Sequence, residues 1–384
     1  MADYIIVGTG FAGSVLANCL ATQYDKKILM LEKRPHIGGN CYDFVDKNGI
    51  NIHKYGPHLF HTDNKKVVDF LSQFTEFEPY VHMVLAYIDG KNVNIPFNFN
   101  TLYQLFPEER AKTFEEKLLK YFKADQKVPI LELKKSTDTD LQYLAKYIYE
   151  KMFVNYTAKQ WGVKPEEIDA SVTARVPVFI GRDNRYFHDK YQVIPANGYT
   201  AIFEKMLDHP HIEVMLDTPF EDMCTLADNK IYLNGKHFNG KVIYTGPVDE
   251  LFGYRYGVLE YRSIDLHFET VDKAYFQEAA VVNYPNDHDY TRITEFKHIH
   301  PVKTPRTTIL KEYPQPYAVN ENIPYYPVFT GENQKRYEQY RQLASQVDGL
   351  TLVGRLAEFK YYDMDDVVER ALDVFAYMKQ PVSQ

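Results

Sequence analysis

At 384 residues the chain exceeds what one core fills and is expected to divide into two or three domains. Its 45% hydrophobic and 25% charged residues are ordinary for a globular protein, and no run approaches the ~20 apolar residues of a membrane span. A formal net charge of −8 argues against broad nucleic-acid binding, yet local arginines and backbone N–H groups can still hold a small anion.

The first elements lie in "DYIIVGTGFAGSVLANCLA". Tyr4 to Val7 form an apolar strand, Gly8, Gly10 and Gly13 follow, and Val15, Leu16, Cys19 and Leu20 share one helix face. Gly8 permits the tight turn, Gly10 lets backbone approach a pyrophosphate, and Gly13 lets helix and strand pack closely. A second strand, "KKILMLEKR", leads to Glu32, about 20 residues past Gly13, where a carboxylate accepts hydrogen bonds from a ribose. This pattern predicts a bound dinucleotide and leaves NAD and FAD both open. The continuation "EKRPHIGGN" adds Arg34 and the Gly38-Gly39 pair, an extension typical of flavoproteins. Before it, "MADYIIVGTG" lacks the basic start of a signal peptide. Cys19, Cys41 and Cys224 have no C-x-x-C spacing and read as reduced thiols, so a cytoplasmic location is expected.

From Phe70 to Phe97 the pattern is a helix end and then a hairpin turning at Asp89-Gly90. Residues 101 to 160 are expected to be mostly helical, with Leu118, Leu119 and Phe122 on one face. Further on, Leu141, Leu144, Ala145, Ile148 and Met152 recur at helical spacing. "YTAKQWG" then carries Trp161, the single tryptophan among 32 tyrosines and 24 phenylalanines, so a site that wants an indole is indicated. Pro165 and Pro177 bracket a stretch without periodicity, and Gly162 offers a hinge; a lid over a ligand is expected there. After Glu260, "DLHFET", "AAVVNY", "YTRITEF" and "TTILKEY" read as strands. The histidines of "HPH" (209–211) and "HIH" (298–300) lack acidic or cysteine companions in the sequence, and no metal site is expected.

Near the far end, "KVIYTGPVDELF" is a strand with a tight Thr245-Gly246-Pro247 turn. "GLTLVGRLAEFKYYDMDDVVERALDVF" is a strand, Gly354-Arg355, and a helix whose apolar face is Val367, Val368, Ala371, Leu372 and Phe375. Asp363 stands where that helix starts, and capping and a cofactor role are both open for it. The expected fold class is α/β. A discontinuous Rossmann-like FAD-binding domain (1-64, 191-253 and 331-384) carries a helical substrate or lid subdomain (98-180) and an antiparallel sheet subdomain (65-97, 181-190 and 254-330).

The stretches "IIVGTGFAG", "EKRPHIGGN", "HKYGPHLFHT", "NIPFNFNT", "YTAKQWG", "RVPV", "DNRYFHDKYQVIPANGYT", "IYTGPVDELF", "YTRITEFKH", "PYYPV" and "GRLAEFKYYDM" run in order from residue 5 to residue 364. In them the chain resembles the bacterial UDP-galactopyranose mutases. The resemblance implies an isomerase that interconverts UDP-galactopyranose and UDP-galactofuranose for bacterial cell-surface glycans. In that family N5 of reduced FAD attacks the anomeric carbon as UDP leaves, with no net redox change. Arg175 and Arg292 would then clamp the diphosphate, with Tyr186, Tyr326 and Tyr361 donating hydroxyls to it. Tyr156 would stack on uracil, with Phe153, Thr157, Phe187 and Asn283 nearby and Trp161 lining the cleft. His58 and His61 would lie by flavin and sugar. Gly8, Gly10, Ala12, Gly13, Glu32, Lys33, Arg34, Gly39, Asn40, His58, Arg355, Tyr362, Asp363 and Met364 would hold FAD. The family also implies a homodimer and an external reductant such as NADPH. His82 departs from the pattern: several members carry asparagine there, which leaves N-acetylated sugars open. Two other readings stay open on the same nucleotide domain, an amine-oxidase-type flavin oxidase or dehydrogenase and a non-catalytic UDP-sugar-binding flavoprotein. Paired arginines amid tyrosines favour a diphosphate substrate over the oxidase.

Overall fold

The computed structural model describes residues 2–162 and 177–378. Arg175 and the expected lid between Pro165 and Pro177 lie outside these residues, apart from Pro177 itself.

The chain opens with β1 (Tyr4–Val7), α1 (Phe11–Tyr24) and β2 (Ile28–Leu31). Successive side chains of a strand point to opposite faces, and here both faces are covered. Ile6 and Met30 pack with α1, whereas Ile5, Leu29 and Leu31 pack beneath Phe220, Ile231 and Phe238. That is why these strands are apolar throughout and do not alternate. Ten of the fourteen positions of α1 are buried, so the helix has more than the one apolar face its spacing suggested. The helix Thr200–Leu207 packs on α1 from one side, and the C-terminal helix packs on it as well.

A hairpin follows, β3 (Val84–Ile88) and β4 (Lys91–Ile95). Asp89 and Gly90 both have positive φ, 49° and 82°, as a two-residue hairpin turn requires. Next come α2 (Phe99–Leu105), α3 (Glu108–Tyr121), α4 (Ile130–Lys134) and α5 (Thr139–Ile148). Phe114, Leu118, Leu141, Leu144 and Ile148 form their core. Leu119, expected beside Leu118, is instead exposed, because the buried stripe of α3 runs through Ala111, Phe114 and Leu118. A π-helical stretch, Tyr149–Val154, joins α5 to α6 (Asn155–Trp161), which Gly162 ends in the left-handed conformation.

The other strands of the two largest sheets are β5 (Ile212–Met215), β6 (Lys241–Tyr244), β7 (Tyr261–Val271), β8 (Val281–Asn283), β9 (Arg292–Glu295), β10 (Thr307–Pro316), β11 (Tyr326–Pro327) and β12 (Leu350–Leu352). The described chain closes with α7 (Met364–Met378). A five-stranded parallel sheet has the order β5-β2-β1-β6-β12, so elements from both ends of the chain share one sheet. A seven-stranded sheet has the order β11-β7-β10-β9-β8-β3-β4 and is antiparallel except where β8 meets β3. The fold is α/β, with a Rossmann-like layer assembled from separated segments.

Candidate active site

Two clefts share a wall. The first, about 450 Å³, is lined by Gly8, Gly10, Ala12, Glu32, Lys33, Arg34, Gly39 and Asn40, and by Thr245, Gly354, Arg355 and Met364 from later segments. Gly8 has φ +94°, and a Cβ there would sit 2.2 Å from the Thr245 hydroxyl, so no other residue fits. A Cβ on Gly13 would lie 2.0 Å from the Gly8 carbonyl; Gly13 serves the helix–strand contact and does not line the cleft. Glu32 is fixed by the N–H and hydroxyl of Thr9, which donate to its Oε2 at 3.0 and 2.7 Å, and by the Arg34 N–H, which donates to its Oε1 at 3.1 Å. Lys33 pairs with Glu250 at 3.0 Å. Arg34 lies over the Tyr55 ring at 4.3 Å and donates through Nη2 to Asn40 at 2.9 Å, while its buried Nη1 has no hydrogen-bond partner among the described residues. An unspent guanidinium nitrogen, a glycine-bounded backbone and an oriented carboxylate fit a dinucleotide: pyrophosphate by the first two, ribose by the third.

The second cleft, about 330 Å³, shares Asn40, Tyr55, His58, Tyr325, Arg355 and Met364 with the first. Its floor is the seven-stranded sheet. Asn283 pairs with Arg292 across β8–β9, and Arg292 with Glu312 across β9–β10, so the three form one row. Directly paired residues present their side chains to the same face. Arg292 Nε lies 2.7 Å from a Glu312 carboxylate that is 2% exposed. Burial works against the Arg292 charge, but Glu312 more than offsets it and holds the guanidinium above its ordinary value.

Tyrosines surround this cation. Tyr326 and Tyr361 stack at 5.9 Å, with the Arg355 guanidinium 5.2 and 5.9 Å from their ring centres. Arg355 is held by the Tyr325 and Tyr362 carbonyls, which is the part Tyr362 plays here. Burial raises the phenols of Tyr156 and Tyr186 although Arg292 opposes it, so both stay neutral donors. Asn283, Tyr156, Tyr186, Tyr326 and Tyr361 all line the cleft, as do Asp363 and Met364.

Three histidines and a phenylalanine close one side. His61 stacks on Phe187 with ring centres 3.6 Å apart and lies 3.2 Å from an Asp189 oxygen. His82 faces the same Phe187 at 5.7 Å. Burial pulls His82 down to about 3, helped by Arg292 and His61. It pulls His58 down to about 4, with Arg355 and Arg292 adding to it and the Gly56 carbonyl opposing. Both are neutral imidazoles at physiological pH.

Not every expected residue reaches the cleft. Phe153 is buried in the helical core, and Thr157 is buried on α6 without lining either cleft. The Trp161 side chain, like Arg175, is outside the described residues. Asp363 directly precedes α7; its N–H donates to Asp366 at 2.9 Å and its carbonyl accepts from Val367, so it sits both at the helix start and in the cleft. The histidine pairs do gain acids: Asp25 stands 3.1 Å from His211 and Glu295 3.3 Å from His298. Asp25 reaches His211 through folding from a distant segment, whereas Glu295 stands only three residues before His298 in the chain. Glu312 was missed among the strand residues of "TTILKEY". Its signal is the alternation of Leu310 and Glu312 on one strand face, a carboxylate where an apolar residue belongs. Tyr55 and Tyr325 also line both clefts, in plain motif stretches, with no spacing to mark them.

A family model described as UDP-galactopyranose mutase matches residues 151–361, and one for an NAD(P)-binding Rossmann-like domain matches residues 6–74. A probable UDP-galactopyranose mutase of Klebsiella pneumoniae is 37% identical over 379 residues, covering 96% of this chain and 93% of its own. The chain belongs to the UDP-galactopyranose mutase family. The UDP-galactopyranose mutase of Mycoplasma pneumoniae is 34% identical, covering 96% and 94%. A dTDP-fucopyranose mutase of Escherichia coli is 35% identical, covering 97% of each chain. Among solved structures, reduced UDP-galactopyranose mutase superposes with a TM-score of 0.69 over 98% of this chain and 94% of that one. At 15% identity that likeness shows the fold, as does a putrescine oxidase at 0.59 and 12% over 98% of both chains. Membership in the mutase family makes the chain an isomerase with a flavin cofactor. Among the described residues no helix is long and apolar enough to cross a membrane.

Proposed function

We propose that the protein interconverts UDP-galactopyranose and UDP-galactofuranose in the cytoplasm, with FAD in its reduced form and an external reductant such as NADPH to keep it so. The supporting observation is Arg292, anchored on the buried Glu312 carboxylate and set among four tyrosines, beside a dinucleotide-shaped cleft. Reduced FAD, when bound, supplies the nucleophile for the anomeric carbon. A departing UDP gains negative charge, and Arg292, already charged and oriented, stabilises it without reorganising. Arg175 is assigned the second half of that clamp. The hydroxyls of Tyr186, Tyr326 and Tyr361 donate to phosphate oxygens, Tyr156 and Asn283 hold the base, and His58, His61 and His82 line the sugar side, His58 and His82 as neutral imidazoles. In the first cleft Arg34, Gly10 and Gly39 would take the pyrophosphate and Glu32 the ribose, while Asn40, His58, Arg355 and Met364 would flank the ring. The assignment of 1-64, 191-253 and 331-384 to cofactor binding belongs to the same reading, as does a homodimer.

A second substrate is favoured by one finding: the dTDP-fucopyranose mutase is as similar to this chain as the UDP-galactose enzymes are. Both readings share the diphosphate clamp and differ in base and sugar. Dithionite-reduced protein incubated with UDP-galactofuranose and, separately, with the dTDP-fucose pair, followed by product separation, decides between them. The expected result is turnover of the UDP sugar by reduced enzyme and negligible turnover by oxidised enzyme. Equal activity in both redox states overturns the cofactor's proposed part, and turnover of the dTDP sugar alone overturns the substrate.

A further inference from the structure

Outside the cleft, α6 and the π-helical stretch before it are tied to the turn of the β8–β9 hairpin by contacts that recur every four residues. Asn286 Nδ2 donates to the Lys151 carbonyl at 3.1 Å, and Asn155 Nδ2 donates to Asn286 Oδ1 at 3.0 Å. Lys159 Nζ then donates to three main-chain carbonyls of the turn: Tyr284 at 3.1 Å, Asn286 at 2.7 Å and His288 at 2.5 Å. An ammonium has three protons, so its donor capacity is filled by this one turn. Asp287 and Asp289 stand in the same turn, yet the lysine binds main chain. Main-chain carbonyls fix a turn's path, whereas a flexible carboxylate would leave it free to shift.

The position of this knot gives it a consequence. Tyr156 lies three residues before Lys159, and Asn283 lies one residue before Tyr284. The two residues assigned to the base are thus joined from behind through one ammonium. Arg292 has a separate anchor in Glu312 and in the β9–β10 ladder. We propose that Lys159 is a positioning residue that sets the gap between Tyr156 and Asn283, and so governs binding of the nucleotide half of the substrate without touching it. This inference rests on the nucleotide-sugar function proposed above.

Lys159→Met keeps the aliphatic stem and removes all three donors. In the reduced holoenzyme, KM for UDP-galactopyranose and Kd for UDP should rise about tenfold or more, because a displaced wall costs binding. Turnover at saturation should stay within about threefold, the signature of lost uniform binding. Flavin content should match wild type, and Lys159→Arg should recover part of the affinity, since a guanidinium still reaches two carbonyls. Asn286→Ala should weaken UDP in the same direction, and the double variant should be no worse than Lys159→Met alone. Unchanged KM and Kd in Lys159→Met overturn the proposal, as does a proportional fall in turnover and flavin content. Should Lys159→Met fail to fold, wild-type UDP affinity in Asn286→Ala overturns it. A wild type that does not bind UDP refutes the substrate reading and this inference with it; one that binds UDP isolates the clamp.

Discussion

At the scale of single residues, the Arg292–Glu312 pair carries the sharpest consequences. Arg292→Ala removes a charge-stabilising group from a formed site and should reduce turnover by roughly 10²-fold, with the fold intact, as measured by steady-state assay and circular dichroism. Near-normal turnover would take Arg292 off the list of catalytic residues. The histidines make a separate prediction. Burial holds His53, His58 and His82 below the ordinary histidine value of 6.5. Each therefore binds a proton more readily in the unfolded chain than in the folded one. Stability should rise with pH from about 4 to 6.5 and be lost as pH falls through that window. His298 opposes this: burial lowers it, but Glu295 more than offsets that, so its contribution is lost as pH rises. Burial lowers His36, His188 and His300 as well, while it raises the Asp249 carboxyl to about 6 and also raises Asp365, so these two acids side with His298. With six imidazoles against these three groups, the urea midpoint at pH 5 should lie below that at pH 7. An equal or higher midpoint at pH 5 would contradict the burial of these imidazoles.

At the scale of elements, the glycines of the β1–α1 turn separate packing from binding. In Gly13→Ala the new Cβ meets the Gly8 carbonyl at 2.0 Å, and relief by backbone movement should cost about 1–3 kcal/mol. In Gly10→Ala the nearest atom is the Gly39 Cα at 3.8 Å, an ordinary contact. Thermal melts of flavin-stripped protein should show Gly13→Ala destabilised and Gly10→Ala close to wild type. Flavin absorbance of the purified proteins should show Gly10→Ala depleted of FAD. The same turn explains what was legible in the sequence. Strand, glycines, helix and acid are local, so their tasks follow from neighbours in the chain. The Asp89-Gly90 turn was legible for the same reason. Glu312 was not, since its partner is 20 residues away and its meaning comes from the strand register. Nor does the spacing of Leu118 and Leu119 say which of them the neighbouring helix will cover. The helical spacing that runs from Ile148 to Met152 does not reveal that the chain turns π-helical there, although this stretch phases the helix that carries Tyr156.

At the scale of the whole molecule, the cofactor cleft depends on segments that are distant in sequence. Residues 8–41, 245–250, 317–325 and 354–367 all contribute to it. FAD binds the folded chain and gains nothing from the unfolded one, so at about 100 times its Kd it should raise unfolding free energy by ~2.7 kcal/mol. Melts of stripped protein with and without added FAD test this, and no shift would mean that the cleft is not the FAD site. The composition of that cleft also bears on biosynthesis. β1, α1 and β2 are translated together, but β6, which flanks β1 on the side away from β2, follows more than 200 residues later. Gly354, Arg355 and Met364 come later still, more than 100 residues after β6. A nascent chain therefore presents the glycine turn long before it can retain a ligand. Flavin loading follows translation of the segment that carries Gly354, Arg355 and Met364, and a cell short of riboflavin would accumulate folded apoprotein.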